Sequence, residues 1–130
     1  MDELSKIRIP KGGLRVEIDD PDNSRIRKPA GLIRGWFATA ESEFPEEFEF
    51  KIGGITLPHH LTRRSDVEAA MPEYNILGFN IAYDLLTLLP YISDNRLALQ
   101  LILPGYDSLR LRFTVADSAL ASCLEAASGL

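Results

Sequence analysis

Two runs of alternating apolar residues near the C-terminus restrict most strongly what this chain can fold into. Leucine occupies every second position over 97–103, and an equally regular apolar alternation covers 109–115. A period of two places all of these side chains on one face of an extended strand. The dipeptide Pro104-Gly105 lies between the runs and is typical of a turn. The sequence therefore predicts a long β-hairpin with Arg110 and Arg112 on its outer face.

Further strands are predicted upstream by shorter apolar runs, which cover 14–18, 32–38, 48–52 and 78–83. Gly53-Gly54 is a two-residue hairpin signal, because such turns require a positive φ. The run at 32–38 is apolar on both faces except at Arg34, which predicts a central strand with both faces covered and Trp36 as a core anchor. About seven or eight strands at this spacing favour a mostly antiparallel, immunoglobulin-like β-sandwich.

Two helices are predicted beside the strands. A short internal helix covers 65–71, with Ser65 as its N-cap and Glu68 reaching back in a capping box. A second helix begins at Asp117. The segment 85–92 contains Pro90 and lacks clean alternation, which indicates a loop or a single helical turn packed on the sheet edge.

The length fits one domain over residues 1–130. Its core is expected at about 14–115, and 117–130 forms a C-terminal helix or the start of a linker.

The net charge and the cysteine content limit which partners and which cellular compartment the sequence predicts. The formal net charge is −5, and nucleic acid or an anionic membrane surface would need a basic face, which the composition does not reveal. No apolar run approaches the length of about 18 residues that a membrane helix needs. One cysteine, Cys123, and an N-terminus without the pattern of a signal peptide predict a cytoplasmic protein.

Metal and cofactor sites are not predicted. His59 and His60 are adjacent, so on an extended chain their side chains point in opposite directions, and the two are expected to be loop or surface residues. The segment 20–24 is rich in turn-forming residues and does not have the spacing of a calcium loop. The acidic segment 41–47 is expected to be a solvated loop.

The order of several short motifs resembles a known accessory module. The motifs are Gly35-Trp36 in a strand, the Gly53-Gly54 turn, Arg64-x-Asp66-Val67, Pro72, and Gly78-Phe79 opening a strand. Over about residues 30–115 this pattern is similar to the β-sandwich module found beside glycosyltransferase and methyltransferase domains in bacterial polysaccharide-synthesis proteins. Ser65 stands where that family usually has proline. The resemblance implies a non-catalytic accessory domain and carries over no functional residues.

Carbohydrate binding is one function compatible with such a module. Sugar sites need aromatic faces surrounded by polar side chains. The candidate residues are Tyr74, Tyr83, Tyr91 and Tyr106, with Asn75, Asn80 and Asp107 near them in sequence. For each tyrosine the alternative is a ring packed at a sheet edge with its hydroxyl in water.

Protein interaction or self-assembly is the second function that the sequence leaves open. The apolar segment 85–92 would then form an exposed patch that binds a neighbouring transferase domain or a second copy of the chain. An enzyme is not expected, because neither a pair of acid–base groups nor a nucleophile beside a base is specified by the sequence.

Overall fold

The computed structural model describes residues 2–41 and 47–128, and it shows a mostly β protein with two sheets. The four-stranded sheet consists, in spatial order, of β1 (Leu14–Asp20), β3 (Ala30–Thr39), β7 (Asn75–Asp84) and β6 (His59–Thr62). The five-stranded sheet consists, in spatial order, of β2 (Arg25–Ile26), β9 (Leu109–Val115), β8 (Arg96–Ile102), β4 (Glu49–Ile52) and β5 (Ile55–Thr56). Neighbouring strands are antiparallel except β2 and β9, which pair in parallel.

The main core lies between the two sheets, which confirms the predicted β-sandwich. Three phenylalanines occupy its centre. Phe79 of β7 lies with its ring centroid 5.8 Å from that of Phe37 in β3 and 5.0 Å from that of Phe50 in β4. All three side chains are completely buried. Because Phe50 belongs to the other sheet, these rings join the two layers of the sandwich.

The predicted C-terminal hairpin is present as β8 and β9. Leu97 pairs with Phe113, Leu99 with Leu111 and Leu101 with Leu109. The side chains of these pairs point into the sandwich, so the intervening Arg110 and Arg112 are exposed on its outer face. Gly53 and Gly54 form the predicted turn between β4 and β5.

Trp36 is buried as predicted, but it lies on the outer face of the four-stranded sheet instead of between the sheets. It belongs to a second apolar cluster with Ala38, Val67 and Met71. Ile9, from the segment that precedes β1, completes the cover. This outer layer explains why β3 is apolar on both faces along its second half.

Helices cover the edges and one face of the sandwich. They are α1 (Asp2–Ser5), α2 (Ser65–Ala70), α3 (Leu85–Leu88) and α4 (Asp117–Ser128), with 3-10 turns at Asp22–Ser24 and Leu89–Tyr91. Of the two alternatives predicted for 85–92, a loop or a single helical turn, the structure shows the helical turn as α3, whose Leu85 and Leu88 are fully buried. Most of the predicted acidic loop and the last two residues of the predicted C-terminal helix lie outside the described residues.

Two sequence-based predictions are wrong in detail. The residue at the N-cap position of α2 is Arg64, and no side chain caps this helix. The capping box does not form, because Glu68 pairs instead with Arg63 at 3.1 Å. His59 and His60, expected to be loop or surface residues, are not in a loop but begin β6, where their backbones pair with Ile81 and Asn80 of β7. The surface alternative is correct for His60, which is exposed.

Arg64 joins α2 to the far edge of the four-stranded sheet. Its Nε and Nη2 atoms donate to the two carboxylate oxygens of Asp66, each at 3.0 Å. Its Nη1 atom donates to Asp19, which lies where the register of β1 shifts against β3. Such a bulge redirects one side chain, and here it presents Asp19 to Arg64. The Arg-x-Asp motif therefore has a structural role in holding α2 against the sheet.

The same ion pair displaces two pKa values. The hydrogen bonds from Arg64 lower the pKa of Asp66, against the opposing effect of partial burial. Pairing with Asp66, and then with Asp19, raises the pKa of Arg64. A carboxyl group whose pKa is lower in the folded than in the unfolded protein adds stability above its unfolded pKa. That stability is lost as the pH falls through the folded pKa.

Replacing Asp66 by asparagine is therefore expected to destabilise the protein in a pH-dependent way. We expect a loss of about 0.5–1 kcal/mol near pH 7, because the carboxylate is half exposed and partly screened. The difference from the unmodified chain should shrink as the pH falls below the ordinary aspartate pKa of about 3.9 and through the lower folded pKa of Asp66, because Asp66 itself is then protonated. Urea denaturation at several pH values measures this difference in the free energy of unfolding. Asp107→Asn, at an exposed loop position, is the control and should change little at any pH; an equal loss for both variants would contradict the ion-pair assignment.

Candidate functional site

Tyr91 is the most exposed of the four tyrosines and marks the rim of a groove. It ends the 3-10 turn after α3, and 40% of its surface is accessible. Its ring lies against Gly53 of the β4–β5 turn, where an added Cβ would be 2.7 Å from the Tyr91 Cζ atom. Gly53 also has a φ of +58°, so the turn geometry and the ring contact both require glycine there. The ring is thereby held in place with one part open to solvent.

The floor of this groove is the outer face of the β8–β9 hairpin. The groove has a volume of about 480 Å³. Ala98 pairs with Arg112 across the hairpin, and Arg96 pairs with Thr114. The small Ala98 side chain leaves a depression between the arginines, with Arg110 further along β9. Hydroxyl and amide groups of Ser24, Ser93 and Asn23 complete the lining.

We name this surface the Tyr91 groove. It combines a fixed aromatic ring with three guanidinium groups that donate hydrogen bonds in a planar fork, a geometry that matches carboxylate and phosphate oxygens. Aromatic faces with polar groups around them accommodate ligands that have an apolar body and a hydroxyl-rich rim. The groove can therefore bind a polar, ring-shaped ligand without any covalent chemistry.

The other three candidate tyrosines make internal contacts. The Tyr74 hydroxyl accepts a hydrogen bond from the Ile9 amide at 2.9 Å and so fixes the segment before β1. The Tyr106 hydroxyl lies 2.8 Å from the Thr39 hydroxyl at the end of β3. Tyr74 and Tyr106 are both half-buried. Their hydroxyl groups are thus occupied in holding loops to the sandwich.

Tyr83 is buried, and its hydroxyl donates to the Lys28 carbonyl at 3.1 Å. Burial, with a smaller contribution from the negative charge of Asp20, raises the pKa of Tyr83. The edge of the ring contributes to a cleft formed by the segment between β2 and β3. Tyr83 thus lies beside a second depression and does not line the Tyr91 groove.

The three polar candidates do not gather around Tyr91. Asn75 is the first residue of β7 and pairs with Thr39. Asn80 lies midway along β7, between Arg34 of β3 and His60 of β6. Asp107 is exposed in the β8–β9 loop. Of the seven candidate residues, only Tyr91 lines the groove.

Sequence reasoning did not assign the arginines to a site. The alternation over 109–115 correctly placed Arg110 and Arg112 outward, and their repetition on one face was the available signal. Arg96 joins them through the register of the hairpin, in which Arg96 and Arg112 are diagonal neighbours. The net charge of the whole chain is negative, so composition alone did not indicate this local excess of positive charge.

The adjacent histidines have different surroundings. The His59 ring lies 4.9 Å from that of Phe48 and is half-buried, whereas His60 is exposed. Within residues 2–41 and 47–128 no group of three or more histidine, cysteine, aspartate or glutamate side chains is close enough together to hold a metal ion.

Cys123 on α4 is buried. None of the helices in the described part of the chain has the length and apolar character needed to cross a bilayer. Comparison of the sequence with protein-family models found no match, and the comparisons with curated proteins and with solved structures found none either.

Proposed function

We propose that this chain is a non-catalytic accessory module of a polysaccharide-synthesis or glycosyltransferase-type protein, and that it binds carbohydrate in the Tyr91 groove. The observation that carries the proposal is the exposed Tyr91 ring beside Arg96 and Arg112, above a depression at Ala98. An aromatic face next to fork-shaped hydrogen-bond donors is suited to a sugar ring with polar substituents.

The residues with displaced pKa values have structural roles. Arg64 and Asp66 owe their shifts mainly to an ion pair that holds α2 in place, and Tyr83 owes its shift mainly to burial. Each shift therefore has a structural cause. The buried Cys123 fits the reducing cytoplasm that we propose as the location.

We further propose that the sandwich is immunoglobulin-like. If β1 to β9 receive the letters A, A′, B, C, C′, D, E, F and G, the sheets read A-B-E-D and A′-G-F-C-C′. Constant-type immunoglobulin domains place strands A, B, E and D in one sheet and C, F and G in the other. The strand order thus supports this topology, and it fits the accessory module that the motifs resemble.

The experiment is a glycan-array and calorimetric binding assay with the Tyr91→Ala and Tyr91→Phe variants. We expect a defined glycan class to bind the unmodified chain and to bind Tyr91→Ala at least about tenfold more weakly, since a buried aromatic contact typically contributes that much or more. Tyr91→Phe keeps the ring face and should bind almost normally.

Leu61→Ala is the matched control, because Leu61 is an apolar residue of similar exposure on the other sheet. Its binding should equal that of the unmodified chain. If glycan binding is retained in Tyr91→Ala, the proposed site is wrong. If no glycan on the array binds, the proposed function is wrong.

Protein interaction is the second candidate function. Two side chains of the segment 85–92 support it: Leu86 is 42% exposed and Tyr91 is 40% exposed, although Leu85 and Leu88 are buried. A mass that rises with concentration in sedimentation experiments, and returns to that of one chain in Leu86→Ser, would favour this function over carbohydrate binding.

A further inference from the structure

The positively charged side chains of this acidic protein fall into two groups, those that form an ion pair and those that do not. Arg8, Arg15, Lys51, Arg63 and Arg64 each have a carboxylate partner. The other nine have no described carboxylate oxygen within the 4.0 Å that defines an ion pair. Two of them, Lys6 and Lys11, precede β1, and the remaining seven are Arg25, Arg27, Lys28, Arg34, Arg96, Arg110 and Arg112. All seven are exposed.

Four of these cations surround a second depression, which we name the Lys28 cleft. It has a volume of about 370 Å³ and lies where the chain passes from β2 to β3. Arg25, Arg27, Lys28 and Arg34 line it together with the carboxylates of Asp20 and Asp22 and the edge of the Tyr83 ring. The four cations exceed the two acids, so the cleft carries a net positive charge.

The Lys28 cleft and the Tyr91 groove meet at β2. Arg25 lines the cleft and pairs with Thr114 of β9, which lines the groove. Arg96 pairs with Thr114 from the other side. Paired residues in neighbouring strands point to the same face and lie about 5 Å apart. Arg25 and Arg96 are therefore separated by two strand spacings. They connect the four cations of the cleft, which Asp20 and Asp22 accompany, with the three arginines of the groove, and we call these seven cations the basic band.

The outer face of the hairpin contributes no acid to this band. The outward residues of β8 are Arg96, Ala98, Gln100 and Ile102, and those of β9 are Arg110, Arg112 and Thr114. On the adjacent β4, the one outward acid is Glu49, which pairs with Lys51 at 3.4 Å. Like charges gathered on one sheet face repel one another and lower stability. A bound polyanion would remove that repulsion.

From this band we infer that the ligand is an acidic glycan, whose carboxylate or phosphate substituents recur along the chain and contact both the Tyr91 groove and the Lys28 cleft. The inference rests on the proposed function and specifies the ligand class. Nucleic acid is less suited to the surface, because single strands are held by stacking successive bases on several aromatic rings. Along this band Tyr91 offers one exposed ring face, and the Tyr83 ring is buried.

The test compares an acidic with a neutral polysaccharide on the intact chain. Alginate, a polymer of uronic acids, and dextran, a neutral glucan, serve as probes in calorimetry or affinity electrophoresis. We expect alginate to bind and dextran to bind at least tenfold more weakly. The alginate affinity should fall steadily as salt rises from about 50 to about 300 mM, because counterions compete for exposed charges.

The double variant Arg110→Gln/Arg112→Gln tests the groove part of the band. We expect at least a tenfold loss of alginate affinity, with a melting temperature that is unchanged or higher, since the substitution relieves repulsion. The control is Arg8→Gln/Arg63→Gln, which changes the net charge equally but at two exposed residues outside the band. It should leave alginate affinity nearly unchanged, whereas a merely non-specific charge effect would weaken both variants alike.

The cleft part is tested with Arg27→Gln/Lys28→Gln and with alginate fragments of increasing length. Long alginate chains should bind this variant more weakly than the unmodified chain, and fragments too short to reach from the groove to the cleft should bind both equally.

Equal salt-independent binding of alginate and dextran would overturn the acidic ligand class and leave the carbohydrate function intact. Absence of binding to every glycan would overturn both. Tighter binding of a single-stranded oligonucleotide than of any glycan would overturn the ligand class in favour of nucleic acid.

Discussion

Replacing Gly35 by alanine is expected to destabilise the protein by about 3 kcal/mol, at the upper end of what overpacking usually costs. Gly35 lies in β3 opposite Ile18 of β1. An added Cβ would collide with the Glu17 carbonyl oxygen and would lie 2.8 Å from the Phe79 Cζ atom. Relief would require moving both the β1 backbone and a ring at the centre of the core. The first movement disturbs the pairing of β1 with β3, and the second disturbs the packing between the two sheets.

Urea denaturation and thermal melting measure this effect, and a fall of roughly 10 °C in Tm is expected for a domain of this size. Gly54→Ala is the matched control, since an added Cβ at Gly54 would meet no atom within 4 Å. It should change the stability by less than about 0.5 kcal/mol. Similar stabilities for the two variants would mean that β1 does not lie as close to β3 as described.

The motifs that carry the family resemblance have structural roles. Gly35 leaves room for the Phe79 ring, and Trp36 anchors the outer apolar cluster. Arg64 holds α2 through Asp66, and its aliphatic stem lies against Gly78. Trp36, Arg64 and Gly78 thus lie on the outer face of the four-stranded sheet and specify how α2 covers it, whereas Gly35 faces the interior of the sandwich. The Gly53-Gly54 turn belongs to the other sheet, where it packs against the Tyr91 ring of the candidate binding surface.

The strands with one buried face could be predicted from the sequence because burial imposes a period of two. The run at 97–103 was recognised for this reason, and its register with 109–115 was fixed by a turn. Two short strands were missed. Arg25–Ile26 pairs in parallel with β9, and His59–Thr62 pairs with the edge of β7. Their pairing depends on backbone groups of distant strands, which no local pattern reveals.

The candidate site was only partly accessible to sequence reasoning for the same reason. The hydroxyl partners of Tyr74, Tyr83 and Tyr106 are more than fifty residues away in the chain, so their structural roles are set by tertiary contacts. Tyr91 differs because it follows a short helix in which Leu85 and Leu88 take the buried positions. The basic band requires β2 to bring Arg25 beside β9, which is again a non-local pairing.

Replacing Phe79 by alanine is expected to cost about 4 kcal/mol, the range observed when a large aromatic side chain is deleted from a core. The ring is fully buried between Phe37 of its own sheet and Phe50 of the other. Its removal loses transfer free energy and leaves a cavity that the two rigid sheets cannot close. Equilibrium unfolding in urea measures the loss. Phe79→Leu, which keeps much of the volume, should cost about 1–1.5 kcal/mol and remains folded if the alanine variant does not.

Leu61 provides the control for this substitution because it pairs with Phe79 across β6 and β7 but is 49% exposed. Leu61→Ala should therefore cost less than about 1 kcal/mol, since about half of the Leu61 surface is already in contact with water in the folded state. The contact between the sheets is tested by combining Phe79→Leu with Phe50→Leu. Side chains in contact usually show a coupling energy of about 0.5 kcal/mol or more. If the losses of unfolding free energy of the two single variants add up strictly in the double variant, the two rings are not energetically coupled and do not join the sheets.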